Sequence, residues 1–300
     1  MMWNLFRAEW IKIMGNRWMT SLLIWIFPVG MLAYMVIMIV AVSLLPSMRG
    51  DEGIEMMGLG DVQWTEQAYS TWSFPNSLFG RLVLLAFTSV VFAGEYQWGT
   101  WKNLLPHSQR VPLVLVKFFA VTLLAVLSFF LMSVFYTVGV GIVATIAGAS
   151  YGPALSGAVL TDFLGTYAQH VTLTMMLTVI SAGYAALAAM LMRSVLGGAI
   201  AGLVVTFIEG LSVVFLLLVA RFLRFDGIVH LYRLTPSYNV ANVNSWLTHN
   251  RAEIVGNGLL GDVLTGYEDP LVFSVVMLLV WVVALMALTA YLFKRQDVYG

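Results

Sequence analysis

The chain contains no cysteine. Disulfide scaffolds, thiolate metal centres and cysteine nucleophiles are therefore excluded. Charge is the second scarcity: Asp, Glu, Lys and Arg make up 10% of the 300 residues, where a soluble protein carries about 25%. The 15 basic and 15 acidic side chains cancel, so the basic excess that nucleic-acid binding draws on is missing. His107, His170, His230 and His249 show no metal-ligand spacing, and no His-Glu-x-x-His occurs. No lysine follows a glycine, so the Gly-x-x-x-x-Gly-Lys-Ser/Thr loop that cradles nucleotide phosphates is absent. What is abundant is apolar: hydrophobic residues make up 60% of the chain. A soluble fold of this size cannot hide that much apolar surface, and a disordered chain would not carry it.

These runs predict an all-α integral membrane protein, read as one transmembrane domain over 1–300. A helix needs about 20 mostly apolar residues to cross ~30 Å of hydrocarbon. Six stretches qualify: 19–45, 77–93, 113–147, 171–192, 195–220 and 271–293. The dyad alternation of a membrane barrel does not recur. The first run, at about 27 residues, exceeds the 7–15 of a signal h-region and reads as a permanent helix. Pro28 predicts a kink in it. The third run is longer than a perpendicular crossing needs, with Gly139 and Gly141 as expected bends. Segment 1–18 predicts an interfacial helix, with Trp3, Phe6, Trp10, Ile13 and Met14 on one face and Asn4, Lys12 and Asn16 on the other. It reads as a surface anchor, or as a lever that also touches a partner.

Orientation follows from Lys and Arg. With both termini inside, the inner segments hold Arg7, Lys12, Arg17, Lys102, Arg110, Lys117, Arg193, Lys294 and Arg295, including all four lysines. The outer segments hold Arg49, Arg81, Arg221, Arg224, Arg233 and Arg251. Counting acids, the inside balance is +6, the outside −5, and Glu209 supplies the last negative charge within a span. The first outer loop sets Asp51, Glu52, Glu55, Asp61 and Glu66 against Arg49, predicting a solvated segment. The outer segment 221–270 is too long for a plain connection. Its mixture of aromatics and charges predicts short amphipathic or re-entrant helices, broken at Pro236 and at Gly256, Gly258 and Gly261.

The loop 94–112 carries Glu95, Gly99, Thr100, Leu104, Leu105, Pro106 and Arg110, with Lys117 opening the next span. Thr100–Leu105 predicts a short helix stopped by Pro106. This pattern, the layout of spans and the closing Phe293-Lys294-Arg295-Gln296-Asp297-Val298 resemble the permeases of type-2 ABC exporters, the ABC-2 transporter family. Pro106 stands farther from Arg110 than the family pattern usually places it. The resemblance implies a bacterial cytoplasmic (inner) membrane location with both termini cytoplasmic. It implies a second permease chain, identical or not, and a separate ABC ATP-binding subunit contacted through this loop and the N-terminal helix. ATP and Mg would then belong to that partner, with no cofactor in this chain, no enzyme activity of its own and no nucleic-acid partner. Glu95, Gly99, Thr100, Leu104, Leu105, Pro106 and Arg110 become the expected ATPase-coupling residues.

Glu209 lies near the middle of the fifth span, where an ionised acid is costly unless it is paired, protonated or facing water. It is the candidate transport-path or interhelix polar residue: a contact for a cationic substrate, a proton-linked group, a dimer bond or a neutral acid bonded to a neighbouring helix. Gly198 and Gly202 form a small-residue strip that suits close helix packing, within the chain or across a dimer. The expected function is export of an amphipathic or hydrophobic substrate such as a peptide, antibiotic or lipid-like molecule. The alternatives are a membrane-embedded transferase acting on lipid-linked substrates, for which Arg221, Arg224, Asp226 and His230 are the available groups, and an ion-coupled transporter.

Overall fold

The computed structural model describes residues 2–16, 24–97, 109–252 and 268–296. Every regular element among them is helical; the one sheet-like pairing is an isolated bridge between Gln63 and Gly152. The helices are α1 (Met2–Gly15), α2 (Ile26–Leu44), α3 (Gly50–Met57), α4 (Trp64–Ser70), α5 (Leu78–Gln97), α6 (Arg110–Ala147), α7 (Gly157–Met192), α8 (Val195–Gly210), α9 (Ser212–Leu223), α10 (Pro236–His249) and α11 (Leu271–Arg295). Short 3-10 turns cover Pro46–Met48, Thr71–Asn76 and Asp226–Leu234. Five helices, α2, α5, α6, α7 and α11, are long and apolar enough to cross a membrane. The pair α8 and α9 passes the same test only together, across a 56° bend.

Local chemistry explains where the helices stop. Three of them end in a left-handed residue whose successor bonds five positions back, satisfying carbonyls that the last turn leaves open. Gly58 (φ 67°) closes α3 with Leu59 N–H on Ile54 O, and Gly148 (φ 88°) closes α6 with Ala149 N–H on Ala144 O. Arg224 (φ 52°) closes α9 with Phe225 N–H on Ala220 O. Starts are equally legible: Ser194 accepts from Gly197 N–H at α8, and Thr235 accepts from Tyr238 N–H ahead of Pro236 at α10.

Several sequence expectations shift. Pro28 lies in the first turn of α2 as described, where its missing N–H costs nothing; residues 19–23 of the expected span, on which the kink also depends, lie outside the described residues. Helix α6 runs unbroken for 38 residues, about 57 Å at 1.5 Å per residue. Gly139 and Gly141 are packing positions in it: a Cβ on Gly141 would stand 2.8 Å from the Tyr151 ring, and one on Gly139 would meet the Met35 side chain. Helix α7 begins at Gly157, well before the apolar run at 171. The fifth span breaks at Leu211. In α1 the inward face carries Glu9 as well as Ile13, while Trp3 is 70% exposed. Glu9 is tolerated there because Lys12 Nζ sits 2.7 Å from its carboxylate.

The chain divides into two compact units. One comprises 6–87 and 119–178, with a core of Phe27, Trp72, Val83, Leu84, Ala125, Phe129 and Met132 and a second cluster of Val42, Leu59, Val143 and Ala147. The acidic loop belongs to this unit and is folded. Its helices bury Leu59, Ala68 and Trp72 while Asp51, Glu52, Glu55, Asp61 and Glu66 stay exposed. The other unit comprises 1–5, 88–118 and 179–300. Lipid is as apolar as a protein core, so helices associate in it through close packing and hydrogen bonds rather than by hiding leucine. Accordingly, small residues do the work here. Gly183 abuts Leu285 and Gly198 abuts Ala189, while Phe222 and Leu196 remain largely exposed.

Candidate functional site

Helix α5 continues past the expected span end to Gln97, and α6 begins at Arg110 rather than 113. Glu95 and Arg110 are therefore helix residues, not loop residues. Gly99, Thr100, Leu104, Leu105 and Pro106 lie outside the described residues. The two helix ends that bracket them converge, within the second unit, on the C-terminal end of α11.

Arg110 supplies most of that junction. Its Nη1 donates to three carbonyls at the close of α11, Phe293 O at 3.2 Å, Lys294 O at 3.0 Å and Gln296 O at 2.8 Å. Its guanidinium also stands 5.9 Å from the Phe293 ring centroid. A cation is poorly placed at the positive N-terminus of its own helix, and here it reaches the negative end of another. Gln296 is the keystone. Its side-chain oxygen accepts from the Tyr96 hydroxyl in the last turn of α5, and its Nε2 donates to Met190 O near the end of α7 at 2.9 Å. Four helix ends thus share one set of hydrogen bonds.

About two turns along α6 from Arg110, Lys117 is fully buried and pairs with Glu95. Its Nζ lies 2.8 Å from Glu95 Oε1 and 2.9 Å from Val91 O, and 5.9 Å from the Phe92 ring centroid. A buried pair of this kind fixes register more than it adds stability, because desolvation offsets most of the Coulomb attraction. It clamps α5 to α6 directly behind the loop.

Glu209 is not in the middle of a continuous span. It occupies the last turn of α8, just before the bend at Leu211, because the helix ends at Gly210. Its Oε1 accepts from Ser237 N–H at 2.8 Å and from Ser237 Oγ at 2.5 Å. Ser237 lies in the first turn of α10, so the carboxylate sits where unsatisfied N–H groups and the helix dipole favour negative charge. Gly198 packs within the chain: a Cβ there would stand 2.7 Å from Ala189 Cα. Gly202 is buried.

Sequence reasoning missed the polar knot beside α10. Asp269 is buried and receives Arg233 through both Nε, at 2.7 Å, and Nη2, and the Tyr238 hydroxyl at 2.6 Å. Its backbone carbonyl accepts from Asn242 Nδ2 and Trp246 Nε1, both at 3.1 Å, and Asn242 reaches on to Ser274 Oγ at 2.9 Å. Burial alone would raise the Asp269 carboxyl, but hydrogen bonds from Arg233 and Tyr238 and the Arg233 charge outweigh it and hold it below its usual range. Burial and the neighbouring carboxylate push the Tyr238 phenol up. The only sequence signal was opposite charges flanking an aromatic-rich segment, and no spacing rule links positions 36 apart. Arg221, Arg224 and Asp226 are exposed and stand outside the hydrogen bonds of this knot. Among the described residues no group of His, Asp and Glu could hold a metal ion. No protein-family model matches the chain, and no curated protein matches it in sequence.

Proposed function

We propose that the chain is the permease subunit of an ATP-driven exporter of the ABC-2 type, moving an amphipathic or hydrophobic substrate outward. In this reading it has six spans, with α8 and α9 together forming the fifth. Both termini are cytoplasmic in a bacterial inner membrane, and a second permease chain and a separate ATP-binding subunit complete the assembly. The carrying observation is the junction at the end of α11. A loop meant to receive force must not stretch at its roots, and here Tyr96 before it and Arg110 after it are both bonded to the same helix end. Behind them the Lys117–Glu95 pair couples the flanking helices. A push on residues 98–108 would therefore reach α5, α6, α7 and α11 at once. The charge balance across the six-span layout, +6 inside and −5 outside, supports the orientation.

The test is co-expression with ABC ATP-binding subunits, followed by affinity purification and ATPase measurement in nanodiscs. One such subunit should co-purify, and Arg110→Ala should lower coupled ATPase activity with the complex intact. Failure of every such subunit to co-purify, with this chain folded, would end the reading.

A further inference from the structure

In the first unit, a partly enclosed chamber of about 310 Å³ lies between α2, α6 and the folded acidic segment. Its walls include Tyr34, Met35 and Met38 from α2, Met57 from α3, Gln67 from α4 and Tyr136 from α6. The volume is that of about ten water molecules and stands at the lower edge of small-molecule sites, roughly 300–1,000 Å³.

The chemistry of the walls is selective. Several polar side chains elsewhere in this unit spend their hydrogen bonds on backbone carbonyls: Ser128 on Ile24 O, Thr174 on Trp72 O, Tyr151 on Thr137 O and Trp64 on Pro153 O. The Tyr34 and Tyr136 hydroxyls and the Gln67 amide do not; among the described residues none of the three makes a side-chain hydrogen bond. Three neutral polar groups with unspent capacity thus border one cavity, and half-exposed Tyr34 keeps it reachable from outside. The thioethers of Met35, Met38 and Met57 supply soft, adaptable surface that favours the edges of aromatic rings. No charged residue lines the chamber, so an ion would lose hydration without a counter-charge. Exposed Glu55, Asp61 and Glu66 flank the capping elements and repel anions in particular.

We propose that this chamber is a binding site for a small neutral aromatic molecule bearing a hydrogen-bonding group, such as a phenol or an aromatic amide. The site does not depend on the transport reading. The probe is 1-naphthol, titrated into the full chain in nanodiscs with methyl-labelled methionine and read by NMR. Naphthalene and 1-naphthalenesulfonate serve as comparators at equal membrane-phase concentration. The methyl signals of Met35, Met38 and Met57, assigned by Met→Leu substitution, should shift saturably while the other methionines stay still. Naphthalene should bind about tenfold more weakly, the worth of one hydrogen bond, and the sulfonate should not bind. Gln67→Leu and Tyr136→Phe should narrow the naphthol advantage, and Val62→Trp, which fills the cavity from its wall, should abolish saturation. Shifts that rise linearly or spread over all methionines mean bilayer partition and overturn the proposal. So does equal affinity for naphthalene, no saturable shift at all, or unchanged binding after Val62→Trp.

Discussion

Replacing Lys117 by methionine removes a fully buried ammonium together with its contacts to Glu95 Oε1 at 2.8 Å and Val91 O at 2.9 Å. The Glu95 side chain, 3% exposed, then loses its lysine counter-charge in a site that water does not reach. Breaking one side of a buried pair costs about 3–5 kcal/mol, mostly the penalty of the charge left behind. For a chain of this size that corresponds to a fall in melting temperature of roughly 5–8 °C. Substituting both partners, Lys117→Met with Glu95→Leu, removes the stranded charge as well. That variant should return to within about 1–2 kcal/mol of the parent. The assay is thermal unfolding of the purified chain in nanodiscs, run on the parent, both single variants and the double as a cycle. Two results would refute the reasoning: a Lys117→Met variant that melts with the parent, or a double variant no better than the worse single.

Three further outcomes follow from the geometry. Asp269→Asn should cost about 1.5–3 kcal/mol, the usual worth of hydrogen bonds to a charged group, measured by the same unfolding assay. Because the folded carboxyl is held below its ordinary value, its contribution is complete above about pH 4 and is lost as pH falls through the lower folded value; Asp269→Asn should flatten that acid limb of melting temperature against pH. Gly198→Ala places a Cβ 2.7 Å from the Ala189 backbone and should destabilise by about 1–3 kcal/mol through forced separation of α7 and α8. Tyr96→Phe and Gln296→Ala share a bond, so their costs of about 1 kcal/mol each should be non-additive in a double-mutant cycle; simple addition would place the two residues apart.

Much of the fold was readable in order along the chain. Apolar runs of membrane length locate α2, α5, α6, α7 and α11, and Ser194 and Pro236 mark helix boundaries by local rules. Where reading failed, a non-local term decided. The acidic loop looked solvated because its five acids are exposed, yet the same segment buries Leu59, Ala68 and Trp72 against other helices. Gly139 and Gly141 suggested bends, but their bareness makes room for Met35 and Tyr151. In α1, helical spacing grouped Phe6 and Ile13 on one face, while burial against the protein went to Glu9 as well as Ile13, which spacing did not show.

The sequence by itself determined that the chain is built of long apolar helices, and it singled out Glu95, Arg110, Lys117 and Glu209 as residues needing an explanation. Only the tertiary structure decided what each one touches. Lys117 finds Glu95 22 positions away, Glu209 finds Ser237 28 away, and Arg110 finds the end of α11 more than 180 away. Helix formation depends on neighbours within a turn or two, so composition and spacing reveal it. A hydrogen bond depends on a contact of about 3 Å, and only the packed chain brings such distant residues that close.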